Sequence, residues 1–375
     1  MDEQIVDVAV VGGGIIGLSA AWRLAERGRS VTVLEKGEAG RGASWAAAGM
    51  LSPAAEIGFE ELDLYRLGRE SLRRWPEFAK QLERASGSSV GYRDDGTLVV
   101  AVDRDDTEAL RRLYRFQQEQ GVPVEWLAGA EALEIEPILA PGLPAAIFSP
   151  HDHQVDNRGV VEALLKVLHE VDGGTVRESS KVRAVDGRGD VSVVVMEDGS
   201  SVEARVVVLA AGAWSREVGG IEPRLPVRPV KGQILSLRMK EPFELTHVVR
   251  GPDAYLVPKA DGRLVVGATS EEQGFDTEVT AGGVYRLLEG AVEVVPGIEE
   301  LELIETSVGF RPASRDHAPL IGWVAPNVMA ATGQYRHGIL LAPVTADEVA
   351  LEVDAKLGER SETSEWLTPF LPDRF

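Results

Sequence analysis

The segment VAVVGGGIIGLSAAWRLAERGRSVTVLEK, residues 8–36, limits the fold more than any other. A short β-branched run is broken by glycines, a helical stretch closes at Gly28, and a second β-branched run comes next, which predicts one βαβ unit. Gly12, Gly14 and Gly17 stand as G-x-G-x-x-G between strand and helix, and Glu35 ends the next strand 18 residues beyond Gly17. The first glycine permits the tight turn, the second lets backbone N–H groups approach a pyrophosphate at the positive end of the helix, and the third lets helix and strand pack closely. Glu35 can accept from both ribose hydroxyls of an adenosine. With strand, helix and acid in register, the reading is a dinucleotide-binding turn.

A nicotinamide enzyme would continue from this unit into a second mononucleotide half. The chain runs instead into GRGASWAAAGML (40–51), small residues that let backbone lie against a flat ring or a pyrophosphate. Further along, helical spacing predicts helices over 59–85, 107–120, 157–171 and 281–295, with a last one in ILLAPVTADEVALEV. Hairpins are expected at Asp95–Gly96, at EDGS (197–200) and at KADGR (259–263). The fold class expected is therefore α/β: a Rossmann-like nucleotide domain, discontinuous over 1–88, 153–226 and 303–375, and a substrate domain on an antiparallel sheet from 89–152 and 227–302.

Composition narrows the partners. Sixty acidic against 39 basic residues give a net charge of −21, which repels nucleic acid and anionic lipid, so a small molecule is the expected partner. No apolar run reaches membrane-spanning length and the N-terminus is acidic, so a cytoplasmic location is expected. Without cysteine the chain has no disulfide, thiolate metal site or cysteinyl cofactor link. The segment HDHQVD brings His151, Asp152, His153 and Asp156 together, but it lacks a further nearby histidine pair, so it reads as connecting structure and no metal is expected. His317 reads as a loop residue.

At SWAAAGML (44–51), VVVLAAGAWS (206–215), RLVVGAT (263–269) and HGILLAP (337–343) the sequence resembles the FAD-dependent D-amino acid oxidase superfamily, and within it the glycine oxidases of bacterial thiazole and thiamine synthesis, over about residues 5 to 350. The resemblance implies FAD, held without a covalent bond, lined by Ile15, Ile16, Glu35, Lys36, Ala43, Ser44, Ala48, Gly49, Met50 and Gly212. It implies that Val182 meets the adenine through its backbone and that Gln334, Tyr335, Arg336, His337, Gly338, Ile339 and Leu340 pass beside the isoalloxazine, with Gly338 opening a helix toward it. An amine oxidised by hydride loss needs position more than proton chemistry, and a bidentate arginine positions a carboxylate well. The resemblance assigns that clamp to Arg311 and Tyr255, with Arg336 buried and assisting. It implies a small amino acid substrate (glycine, or else sarcosine or a small D-amino acid), molecular oxygen as acceptor and a homo-oligomer, expected as a tetramer. Asp253 and Ser270 depart from the family pattern beside the substrate, where an acid would favour an amine. Two other classes stay in view: an oxidase domain of a tRNA-modifying enzyme, which the acidic charge disfavours, and a flavoprotein without turnover.

Overall fold

The computed structural model describes residues 5–187, 189–358 and 364–375. Val6–Val11 forms the central strand of the first sheet, all of it apolar except Asp7, and it pairs in parallel with Val31–Leu34 on one side and Ser201–Leu209 on the other. Gly174–Arg177 extends the sheet beyond Val31–Leu34, and Val328–Thr332 extends it beyond Ser201–Leu209, both in parallel. Near-continuous Val, Ala and Leu suit a parallel sheet covered on both faces. Helices Ile15–Glu26, Asn157–Glu170, Leu62–Ser86 and Ala342–Lys356 pack together on one face, where Leu18, Leu24, Trp75, Phe78 and Leu164 are buried. The other face is covered by Val182–Asp186 and Ser192–Met196, an antiparallel pair that hangs from Ser201–Leu209.

The second sheet runs in the order Glu302–Ala313, Arg228–Arg238, Arg263–Gly267, Tyr255–Pro258, Val248–Arg250, Thr97–Ala101, Ala145–Ser149, Glu125–Ala128. It is antiparallel except where Val248–Arg250 meets Thr97–Ala101. Helix Ala281–Val294 closes its apolar face over Leu235, Leu256 and Val266. The chain thus leaves the first sheet and re-enters it twice.

Three expectations need correction. Strand Glu302–Ala313 belongs to the second sheet, paired along its length with Arg228–Arg238, although the boundary at 303 puts it in the first domain. The turn at Asp95–Gly96 is not a hairpin: Thr97–Ala101 pairs with Ala145–Ser149 and Val248–Arg250, while Arg93 bridges to Gln154. The last helix starts at Ala342, four residues after Gly338, because residues 338–341 form turns. Strand Leu320–Ala325, antiparallel to Val328–Thr332, has no counterpart among the strands expected from sequence.

Candidate active site

The two sheets face each other across an elongated cavity of about 850 Å³. One end is the glycine turn. Gly12 has φ 110°, and a side chain there would meet the Ala210 carbonyl oxygen at 2.4 Å, so only glycine lets the turn pass the neighbouring strand. Gly17 does not line the cavity; a Cβ on it would lie 2.0 Å from the Gly12 carbonyl oxygen, and its role is the close helix–strand packing expected. Glu35 accepts from the amides of Gly13 (2.7 Å) and Gly37 (3.0 Å), which fixes its carboxylate at the cavity wall. Ser44 Oγ accepts from the Ile15 amide at 2.9 Å and ties the small-residue loop to the helix N-terminus. Gly14, Ile15, Ile16, Lys36, Ala43, Ala48, Gly49, Met50, Val182 and Gly212 line the same space. Lys36 places Nζ 2.9 Å from the centroid of the Trp214 ring, which also lines it.

At the other end the second sheet contributes Tyr255 and Arg311. Arg311 lies opposite Val230 on the long strand pair, and its guanidinium passes over Gly232, where a Cβ would lie 2.6 Å from Nη1. Nη1 donates to the Thr269 carbonyl at 3.0 Å and the guanidinium also bonds the Tyr255 hydroxyl, which fixes the side chain with N–H groups remaining for a ligand. Tyr255 pairs with Gly267, and its ring lies across that residue: a Cβ there would be 2.3 Å from the hydroxyl. Burial raises the Tyr255 phenol above its ordinary value against the pull of Arg311, so the hydroxyl keeps its proton and can donate.

The loop from 334 to 340 divides. Gln334, Tyr335, Arg336, Gly338 and Ile339 line the cavity, whereas His337 and Leu340 turn away, toward Ile57, Leu64 and Tyr65. Arg336 corrects the expectation of a buried guanidinium: its side chain is 38% exposed and Nη2 donates to Glu61 at 3.2 Å. The reason lies in the backbone. Tyr335 adopts φ 48° and its amide donates to Pro312, a bend that sends the next side chain outward. Asp253 and Ser270 both lie at the cavity mouth, exposed.

Two charged residues that sequence reasoning missed belong to this end. Glu56 and Arg250 line the cavity and pair at 2.9 Å, and His337 Nδ1 lies 3.4 Å from the other Glu56 oxygen. Burial works to raise the Glu56 carboxyl, but Arg250, His337, Arg336 and Arg311 outweigh it and hold the group below the ordinary glutamate range. The only sequence signal is a lone acid soon after SWAAAGML, with partners far along the chain. In the HDHQVD segment, Asp152 is buried and accepts from the amides of Ala54 and Ala55, so it anchors the loop that carries Glu56. His153 faces the Tyr92 hydroxyl, and Asp156 caps helix Asn157–Glu170. His317 stacks on Tyr335 at 4.3 Å.

The lining suits a flavin dinucleotide. Backbone approaches the cavity at the glycine turn, the Glu35 carboxylate stands at its wall beside that turn, and small residues flank the middle. Gln334 Nε2 is buried there without a hydrogen-bond partner among the described residues, a donor that a ligand acceptor would satisfy.

Comparison with known proteins agrees with this geometry. The family model described as "FAD dependent oxidoreductase" matches residues 7–351. The glycine oxidase of Geobacillus kaustophilus is 38% identical over 97% of this chain and 96% of its own. The bifunctional protein ThiO/ThiG of Synechocystis is 36% identical over 98% of this chain, which spans 54% of that longer protein. The crystal structure of glycine oxidase from Geobacillus kaustophilus superimposes with a TM-score of 0.90 and 35% identity, covering 99% of each chain. Among the described residues no helix is long and apolar enough to cross a membrane. With a glycine turn, Glu35 and an arginine–tyrosine pair sharing one cavity, the chain belongs to the FAD-dependent oxidoreductase family.

Proposed function

We propose that this protein is a glycine oxidase: glycine, oxygen and water become glyoxylate, ammonia and hydrogen peroxide. The observation that carries the reading is that Arg311 and Tyr255 converge on the cavity whose other end is the dinucleotide turn. Bound FAD supplies the two-electron oxidant. Gly12, Gly14 and the amides opening helix Ile15–Glu26 would hold its pyrophosphate, Glu35 its ribose and Val182 its adenine side, while residues 43–50, Gly212 and the cavity-lining part of 334–339 would flank the rest.

Arg311 offers the substrate carboxylate a charge-assisted fork and Tyr255 adds a neutral donor, so the α-carbon is held in one place. Arg336, exposed and engaged by Glu61, serves the approach of the anion more than its final grip. The same reading carries molecular oxygen as acceptor, a role in supplying the glycine-derived unit of thiazole synthesis, a cytoplasmic site of action and a homo-oligomer, expected as a tetramer.

A second reading within the family, a sarcosine or small D-amino acid oxidase, is favoured by the small side chain of Ala268 lining the cavity beside Tyr255, which leaves room for an N-methyl or Cα substituent. Peroxide-coupled kcat/KM values for glycine, sarcosine, D-alanine and D-proline decide between them. Glycine is expected to lead, and a preference for D-proline or D-alanine contradicts the glycine assignment.

A further inference from the structure

The carboxylate clamp accounts for one end of an amino acid and leaves its ammonium without a partner. Asp253, the acid suggested by sequence, sits exposed at the mouth. Glu56 is different. Its side chain is 8% exposed, it lines the cavity along with Arg311 and Tyr255, and Asp152 holds its loop through two backbone amides. Arg250 grips one carboxylate oxygen at 2.9 Å and also donates to the Ala55 carbonyl at 3.3 Å. His337 Nδ1 lies 3.4 Å from the other oxygen without hydrogen-bonding it, and Arg336 Nε donates to His337 Nε2 at 3.4 Å. A buried carboxylate held by Arg250 and still open on its second oxygen, on a cavity that already has an anion clamp, is what an ammonium needs.

Resting on the amino acid oxidase reading, we propose that Glu56 is the amine-side anchor of the substrate, with Arg250 as its positioning residue. The site then recognises the zwitterion, carboxylate on Arg311 and Tyr255, ammonium on Glu56. The pairing also sets the pH dependence. Only the neutral amine can release hydride from its α-carbon, so the ammonium proton must pass to solvent at the cavity mouth first. An anionic Glu56 favours the charged amine and therefore raises the pH at which the bound substrate becomes reactive. The charged and titratable groups around Glu56 are Arg250, His337, Arg336, Arg311, Asp152 and Tyr255, and the cationic ones keep it ionised through the range in which the amine titrates.

The test compares Glu56→Gln with the wild-type holoenzyme in three measurements: KM for glycine, the competitive inhibition constant of glycolate, which has the carboxylate but no amine, and the pH profile of kcat. The expected result is a KM raised at least tenfold, a glycolate constant unchanged or lower because a repelling charge is gone, and an ascending limb of kcat moved to lower pH. Glu56→Asp, which keeps the charge on a shorter arm, is expected to recover part of the glycine affinity, and it stands in for the first variant should that one not retain flavin. A KM within twofold of wild type, or KM and the glycolate constant rising together, overturns the assignment, the latter because a purely structural defect weakens both ligands. Failure of the wild type itself to oxidise any of the four amines strikes at the oxidase reading instead, so the two outcomes are distinct.

Discussion

Replacing Arg311 with lysine separates its charge from its geometry. The guanidinium has five N–H groups in a fixed fork; one bond is spent on the Thr269 carbonyl at 3.0 Å and one on the Tyr255 hydroxyl, which leaves N–H groups to grip both oxygens of a carboxylate. A lysine ammonium keeps the charge but presents a single nitrogen, so one of the two substrate bonds goes. A hydrogen bond to a charged group is worth about 1.5 to 3 kcal/mol, which predicts a drop in kcat/KM of roughly 10- to 150-fold. Arg311→Ala removes the attraction as well and is expected to cost about 2 to 5 kcal/mol, roughly 30-fold to a few thousand-fold. Because the carboxylate is held before and during the reaction, most of the loss should appear in KM. The assay is peroxide-coupled steady-state turnover over a wide glycine range, normalised to flavin content from its visible absorbance. Wild-type kcat/KM in Arg311→Ala with full flavin content would falsify the clamp.

Other perturbations probe the supports of the site. Gly232→Ala places a Cβ 2.6, 2.8 and 2.9 Å from Nη1, Nη2 and Cζ of Arg311, so it should displace the guanidinium and raise KM about ten- to a hundredfold with flavin retained; unchanged kinetics contradict the packing described. Arg336→Ala breaks a partly exposed pair with Glu61, in the class worth about 0 to 1 kcal/mol, and a long bond to His337, and should change KM by less than about fivefold; a loss as large as that of Arg311→Ala would make Arg336 a primary ligand after all. Asp152 is pushed up to about 7, chiefly by burial, from an ordinary 3.8. The native state therefore binds the extra proton across that window, and the stability it confers, complete below the unfolded value, drains away as pH rises through 7. The ceiling is about 4 kcal/mol for a shift of about three units, and chemical denaturation at pH 4 and pH 8 should show a smaller difference for Asp152→Asn than for wild type. Equal differences in the two proteins contradict it.

Local patterning makes much of this molecule legible. The βαβ unit, the helices at 62–86, 104–119, 157–170 and 281–294 and the hairpins at 197–200 and 259–263 are contiguous in sequence, so periodicity and turn residues specify them. Strand Glu302–Ala313 falls in the wrong sheet when read from sequence because its partner, Arg228–Arg238, lies far upstream and period-two alternation does not name a partner. The same limit hides the Glu56–Arg250–His337 cluster, whose members come from three distant segments. Arg336 shows the converse: an aliphatic neighbourhood suggests burial, but one left-handed residue before it turns the side chain to solvent.

Activity of the kind proposed requires a small amino acid to be held against a bound flavin oxidant in this cavity. Purified protein should be yellow, and anaerobic mixing with glycine should bleach its visible flavin absorbance within the time of a turnover, with colour returning on admission of oxygen. A yellow protein that keeps its spectrum unchanged under saturating glycine contradicts it.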